Sequence, residues 1–222
     1  MYVVNCLKVM LLSVLLPSTA VMAETARFPH ETEPDEAGFF SLFNGEDLTG
    51  WEIFGNEEDF QVKDGLIRSE TGQGGHILYY TAHEFSDFIL RVEWRVAKNG
   101  NSGVFIRSQK DDAAPWINAY EIQISSEVPP RENLHCTGSL YGFAAVEPRP
   151  DETPEIWRSY EITCKGTHIT VEVDGIKVID FDQDSSDETR EKALSGHIGI
   201  QDSHGPAGTW VEYRKIAIKP LD

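Results

Sequence analysis

The stretch SDFILRVEWRVAKNGNSGVFIRS, residues 86–108, decides the fold class. In its first half apolar and charged residues alternate, with Phe88, Leu90, Val92 and Trp94 set against Ile89, Arg91, Glu93 and Arg95. A period of two indicates a β-strand with one face in the core. The turn residues 99–101 follow, and then a second apolar run begins at Val104. The stretch therefore predicts two consecutive strands joined by a short turn.

Runs of the same kind recur on both sides of this stretch, at 51–55, 60–70, 119–125, 159–181, 196–203 and 209–221. The pairs Asp64-Gly65 and Asp174-Gly175 are typical of two-residue hairpin loops. No helix longer than two or three turns is predicted, and the best candidate for a short one is DSSDETREKAL, 184–194. Many short strands separated by turn residues favour an all-β sandwich or barrel.

The ends of the chain divide it into three parts. Residues 1–23 carry a short apolar run and then small residues, with Val21 and Ala23 suited to the −3 and −1 positions of a signal-peptidase site. The run is too short to span a bilayer. We expect a signal peptide, a flexible leader over 24–37 and one domain over 38–222, although an N-terminal membrane anchor is the alternative. The expected location is periplasmic or extracellular, with no stable membrane insertion after cleavage.

Charge limits the partners. The 222 residues carry a net charge of −18. Nucleic acids and anionic membranes are bound through basic patches, so the acidity argues against both. A neutral ligand such as a sugar is easier to accept.

Polar residues recur on the second face of several predicted strands. They are Glu93 and Arg95, Arg107, Glu121 and Gln123, and His197 and Gln201, with His204 just beyond. On one common face they would form a polar floor whose donors and acceptors suit sugar hydroxyls, although surface ion pairing is the alternative. Candidate aromatic walls are Trp116, Tyr120, Tyr141, Trp157 and Trp210, of which Trp116 is the best placed for an exposed platform.

Several familiar motifs are absent from the sequence: G-x-S-x-G, H-E-x-x-H, paired C-x-x-C and a phosphate-binding loop. Three loop histidines beside glycines, His76, His135 and His204, could meet in space. A divalent metal is therefore possible, and no other cofactor is expected. Cys136 and Cys164 are expected as free thiols, with a disulfide as the alternative.

Six segments occur in a characteristic order: GFFSLFNGEDLTGWE (38–52), the central stretch, AYEIQI (119–124), TGSLYGF (137–143), GHIGIQDSHG (196–205) and VEYRKIAIKPL (211–221). Together they resemble the 3-keto-disaccharide hydrolase domain family, also known as DUF1080. The resemblance covers residues 38–221. It implies a concanavalin-like jelly-roll sandwich of two antiparallel sheets, often exported.

The resemblance also implies a chemistry, cleavage of glycosides whose C3 hydroxyl has been oxidised to a ketone. The ketone acidifies the C2 hydrogen, so a base can remove that proton and the C1 substituent can leave. We expect Glu121 to act as the base and Arg107 to face the keto or enolate oxygen, with Glu93 and His204 as further catalytic candidates. Asn101, Gln123, Gln201, Tyr141 and Trp116 are the expected substrate-binding residues. The division of roles among the carboxylates and histidines stays open.

Two other functions are weighed against this one. A retaining glycosidase of the same fold resembles E-x-D-x-x-E on one strand, but here Gln123 and Ser126 occupy the second and third positions. Neither side chain can replace a carboxylate as nucleophile or acid. A non-catalytic carbohydrate-binding module remains the main alternative to an enzyme.

Overall fold

The computed structural model describes residues 28–30, 33–70, 75–110 and 114–221. In these ranges the chain forms thirteen strands: β1 (Phe40–Ser41), β2 (Trp51–Phe54), β3 (Gln61–Lys63), β4 (Leu66–Glu70), β5 (Ile77–Phe85), β6 (Phe88–Val96), β7 (Asn101–Ser108), β8 (Tyr120–Ser125), β9 (Arg158–Lys165), β10 (His168–Val173), β11 (Ile176–Asp182), β12 (Gly196–Gln201) and β13 (Trp210–Pro220). Helical segments are short: the 3-10 turns Glu57–Asp59 and Gln183–Ser185, and the one-turn helices Pro115–Asn118 and Asp187–Arg190.

The strands form two antiparallel sheets. The larger sheet has the order β11-β10-β9-β6-β13-β4-β3, with β1 paired to β13, and the smaller has the order β2-β5-β12-β7-β8. One apolar core lies between them, to which β6 contributes Leu90, β7 contributes Val104 and β8 contributes Ile122. The predicted all-β class and two-sheet jelly-roll sandwich are confirmed.

The two hairpin turns predicted from the sequence have the expected backbone conformation. Asp64 and Gly65 have φ values of 53° and 76°, and Asp174 and Gly175 have values of 51° and 79°. Both residues of each pair have the left-handed backbone conformation that the two-residue loops joining β3 to β4 and β10 to β11 require.

Strand β5 was missing from the sequence prediction. Its residues 77–80 are buried on both faces, because Leu78 and Tyr80 enter the main core while Ile77 and Tyr79 join a second cluster with Phe105. A strand that is buried on both sides has no polar alternation to reveal it.

The expectation of one polar floor across β6, β7 and β8 is wrong for β6. The turn around Gly100 carries the chain from the larger sheet to the smaller, so β6 and β7 lie in different layers. Glu93 therefore lies on the far side of the sandwich, where it accepts hydrogen bonds from Arg214 Nε and Lys215 Nζ, both at 2.7 Å. Arg95 shares that outer face, with its Nε 2.5 Å from Glu212 Oε2.

Arg107 also departs from the expected alternation. Ile106 and Arg107 together stand opposite Ile198, which makes a β-bulge, and Arg107 has a φ of 53°. The bulge turns its side chain into the protein, where only 1% of the residue is exposed. Nη1 donates to Gly166 O at 2.8 Å, and Nη2 donates to Ser86 O at 2.8 Å. Arg107 therefore ties the β5–β6 turn to the β9–β10 turn and does not face a ligand.

The N-terminal part of the described chain belongs to the core. Phe28 is fully buried and stacks on Phe40 at a centroid distance of 4.0 Å. Phe28, ten residues before Gly38 and inside the segment expected to be a flexible leader, is thus packed in the core. The expected signal peptide, 1–23, lies outside the described residues, and no described helix is long and apolar enough to cross a membrane. Cys136 and Cys164 are buried and unpaired.

Candidate active site

The outer face of the smaller sheet, turned away from the core, carries the candidate site. Strand register sets Tyr79, Gly199, Phe105 and Glu121 side by side across β5, β12, β7 and β8. Strand alternation then places Gln123 on the same face as Glu121, while Ile122 between them enters the core. Of the polar positions predicted on β7, β8 and β12, Glu121, Gln123 and Gln201 therefore come together. Arg107 turns inward, and His197 does not line the cavity, because its Nδ1 lies 3.0 Å from Tyr80 O.

A cavity of about 180 Å³ opens on this face, lined by Asn101, Trp116, Glu121, Gln123, Arg131, Tyr141, Gln201 and His204. Seven of these eight residues were named from the sequence. Glu93 instead lines a larger groove, of about 680 Å³, on the outer face of the other sheet. We assign the site to the smaller cavity because buried polar groups converge there, whereas Glu93 is held in surface ion pairs.

Glu121 is the central residue of the cavity. Only 4% of it is exposed, and its side chain lies over Gly103, where an added Cβ would come within 2.3 Å of Oε1. Burial raises the pKa of the Glu121 carboxyl to about 8, and the nearby Arg131 opposes this rise. A carboxyl group that titrates near neutral pH can both accept and donate a proton. Among the described lining residues it is the only carboxylic acid.

Three side-chain amides line the cavity beside Glu121. Gln123 Nε2 donates to Asn101 Oδ1 at 2.8 Å, which leaves the Asn101 amide nitrogen directed toward Glu127 Oε1 at 3.5 Å. Gln201 Oε1 is buried with no hydrogen-bond partner among the described residues. Buried polar atoms are normally satisfied, so this oxygen is an acceptor available to a ligand hydroxyl.

Arg131, which the sequence prediction missed, supplies the positive charge of the cavity. It pairs with Glu127, with Nη2 3.0 Å from Oε1, and it also interacts with Tyr141. Arg131 lies in the loop after β8, and strand alternation carries no information about which way a loop residue points. Its place in the cavity depends on how that loop folds back over the sheet.

His204 is held at the rim by a short ladder to β7. Its backbone N–H donates to Asn101 O, and its carbonyl accepts from Asn101 N–H, both at 3.0 Å. Burial lowers the pKa of the imidazole, which favours its neutral form.

Of the aromatic candidates, two form walls of the cavity. Trp116 packs against the cluster of Ile77, Tyr79 and Phe105. Tyr141 donates its backbone N–H to Glu121 O at 2.9 Å, which fixes the loop against β8. The other three lie elsewhere: Tyr120 is in the core, and Trp157 and Trp210 stack with arginines of the larger sheet.

The three loop histidines considered as metal ligands do not come together in the described structure. His135 pairs with Glu132 at 2.9 Å, and His204 lines the cavity. His76 lies instead with Asp59 and Asp202, the one group of three potential ligands found among the described residues.

Residues 38–219 match the family model of the 3-keto-alpha-glucoside-1,2-lyase-like domain. The chain belongs to this family. The chain is 27% identical over 238 residues to a 3-keto-disaccharide hydrolase from Bacteroides thetaiotaomicron, an alignment that covers 85% of the chain and 80% of that relative. The family resemblance noted in the sequence is thereby confirmed.

Two solved structures from Parabacteroides distasonis, both described as candidate glycosyl hydrolases, share the fold of this chain. The first has a TM-score of 0.71 and 23% identity, covering 84% of this chain and 95% of its own. The second has a TM-score of 0.64 and 24% identity, covering 82% of this chain and 99% of its own.

Proposed function

We propose that this protein cleaves 3-keto-glycosides, with Glu121 as the group that moves the C2 proton. The observation that carries the proposal is the buried Glu121 carboxyl, with a pKa of about 8, in a cavity lined by amides, an aromatic wall and one arginine. The names of the family and of the Bacteroides relative support a 3-keto-sugar as the substrate class.

The reaction needs few groups. The ionised Glu121 takes the proton from C2, and the electrons of that C–H bond form an enolate with the C3 oxygen. The enolate returns its electrons as the bond from C1 to the leaving oxygen breaks, which gives an enone and an alkoxide that takes up a proton. Addition of water across the C1–C2 double bond would then complete net hydrolysis.

Arg131 is the cation we assign to the developing enolate oxygen, in the place that the sequence prediction gave to Arg107. Charged donors that are already oriented stabilise an oxyanion strongly in a site from which water is excluded. The Arg131 guanidinium is oriented by Glu127 and Tyr141 before any substrate enters. Asn101, Gln123 and Gln201 would hold the remaining sugar hydroxyls, and Trp116 would form a wall of the sugar site.

A retaining glycosidase is less well supported. That mechanism needs a second carboxyl group about 5 Å from the first. In the described structure Gln123 takes the second position in the motif, while Ser126 Oγ donates to Ala97 O and does not line the cavity. A binding module without catalysis would also use the amides and Trp116, and turnover distinguishes it from an enzyme.

The test compares Glu121→Gln with Glu93→Gln on a nitrophenyl 3-keto-glucoside, measuring nitrophenol release and enone absorbance. We expect Glu121→Gln to lose at least 10²-fold in kcat, in line with general-base catalysis. The matched control, Glu93→Gln, should keep wild-type kcat because Glu93 lies on the other sheet. If the wild type shows no turnover but still binds the sugar in calorimetry, the protein is a binding module and not an enzyme.

A further inference from the structure

Three side chains meet at one end of the sandwich, outside the proposed catalytic cavity. Asp59 ends the 3-10 turn after β2, His76 comes directly before β5, and Asp202 comes directly after β12. His76 Nδ1 lies 2.6 Å from Asp59 Oδ2 and 3.8 Å from Asp202 Oδ2, and the three ligand atoms all lie within 4.8 Å of one another. None of the three residues lines the cavity that contains Glu121.

The contact between His76 and Asp59 is close but is not a hydrogen bond. His76 Nδ1 is shielded from solvent and has no partner in hydrogen-bond geometry, although the Asp59 oxygen is only 2.6 Å away. An ordinary hydrogen bond therefore does not account for this contact. A cation shared by the two atoms would satisfy both of them.

The spacing fits a small cation. Zinc binds histidine nitrogen and carboxylate oxygen at about 2.0–2.1 Å, so two tetrahedral ligands lie about 3.4 Å apart. That separation falls between the 2.6 Å and 3.8 Å distances from His76 Nδ1 to its two neighbours. Small side-chain rotations would bring all three atoms to one centre.

The surroundings of these side chains are also those of a ligand set. Asp202 is fully buried, and the backbone N–H of Asp202 donates to His76 O at 2.9 Å, which fixes the two segments relative to each other. Asp59 Oδ2 accepts the backbone N–H of Asn56 at 2.7 Å, so this carboxylate is oriented by its own turn. Metal ligands are commonly held by such outer hydrogen bonds.

We propose that Asp59, His76 and Asp202 bind one divalent transition-metal ion. The set of one imidazole and two carboxylates favours zinc or manganese over calcium, which takes six to eight oxygen ligands. The ion would join the β2–β3 connection, the start of β5 and the end of β12. Because Gln201 directly precedes Asp202, the ion would also fix the end of β12 that brings Gln201 to the cavity. The proposal rests on this geometry and not on the proposed reaction.

The experiment measures metal content and zinc binding on full-length, tag-free protein. After treatment with a chelator and dialysis, ZnCl₂ is titrated by calorimetry, and bound metal is counted by mass spectrometry. We expect one ion per chain and a rise of several degrees in Tm with zinc. His76→Ala and Asp59→Asn should each lose the ion and the rise in Tm while near-UV circular dichroism stays native.

The matched control is His168→Ala. His168 Nε2 lies 2.7 Å from Asp180 Oδ1 on the surface, so it is also a histidine beside an aspartate, but it belongs to no group of three potential ligands in the described chain. It should keep the wild-type stoichiometry. If zinc fails to bind the wild type, or binds His76→Ala equally well, the proposal is overturned. Turnover of keto-sugar is not a readout here, so failure of the metal site leaves the proposed function untouched.

Discussion

At the scale of a residue, Glu121 couples the stability of the fold to its chemistry. A buried carboxyl group that keeps its proton to about pH 8 costs stability whenever it ionises in the folded protein. The same shift brings its pKa into the range where a proton can be taken and returned at neutral pH. Such opposed demands are common at catalytic sites, where activity is obtained at the expense of stability.

This coupling predicts how stability depends on pH. The pKa of Glu121 is raised in the folded protein, from 4.5 to about 8, so between those values the unfolded chain binds fewer protons than the folded one. The contribution of Glu121 is therefore fully favourable below about pH 4.5 and is lost as pH rises toward 8, at up to about 1.4 kcal/mol per pH unit. Glu121→Gln should become more stable than the wild type by a few kcal/mol at pH 8, and this difference should shrink toward pH 5.

Urea unfolding of both proteins at pH 5, 6, 7 and 8 measures that difference. The other titratable groups that line the cavity, Arg131, Tyr141 and His204, are unchanged in the variant, so their contributions largely cancel in the comparison. A difference that does not vary with pH would mean that Glu121 titrates normally.

At the scale of an element, the sequence of a strand predicts that the strand forms, but it does not predict which strands lie beside it. Alternation predicted β6 and an apolar run predicted β7, but nothing in either strand states which sheet it joins. Glu93 and Arg107 do not lie on the expected polar floor, for two separate reasons. The turn at Gly100 changes layer, and one extra residue at the bulge reverses the side-chain direction after Ile106. Residues before the bulge, such as Asn101, and residues on β8, such as Gln123, kept their expected face.

The bulge makes Arg107 a structural residue and not the catalytic one expected from the sequence, so its substitution should affect stability and not turnover. Lysine cannot reproduce the planar fork that donates to Ser86 O and Gly166 O. Arg107→Lys should therefore lose about 2–4 kcal/mol of stability, since buried acceptors lose their donors. The kcat of the folded protein, measured well below its Tm, should stay near the wild-type value. If Arg107→Lys kept normal stability but lost turnover, Arg107 would belong to the active site after all.

At the scale of the whole molecule, the sandwich keeps its two outer faces apart. The smaller sheet carries the buried polar cavity, and the larger one carries ion pairs and the arginines that stack on Trp157 and Trp210. The order of sequence segments was enough to identify the family and the fold, because strands and turns are local features. How far the packed domain extends cannot be predicted from local sequence. A short polar segment can contribute one buried side chain, an anchor, to a core formed by distant residues.

Phe28 is such an anchor, and its effect on stability can be measured. Its ring stacks on Phe40 at 4.0 Å and lies 6.1 Å from Phe85, so it joins the N-terminal segment to strands of both sheets. Phe28→Ala should destabilise the protein by about 3–5 kcal/mol, the usual cost of removing a buried phenyl ring. Ile176→Ala, at a side chain that is 58% exposed, serves as the control and should change the free energy of unfolding by less than about 0.5 kcal/mol. If Phe28→Ala also fell within that limit in urea unfolding, the segment before Gly38 would be a leader that the folded domain does not need.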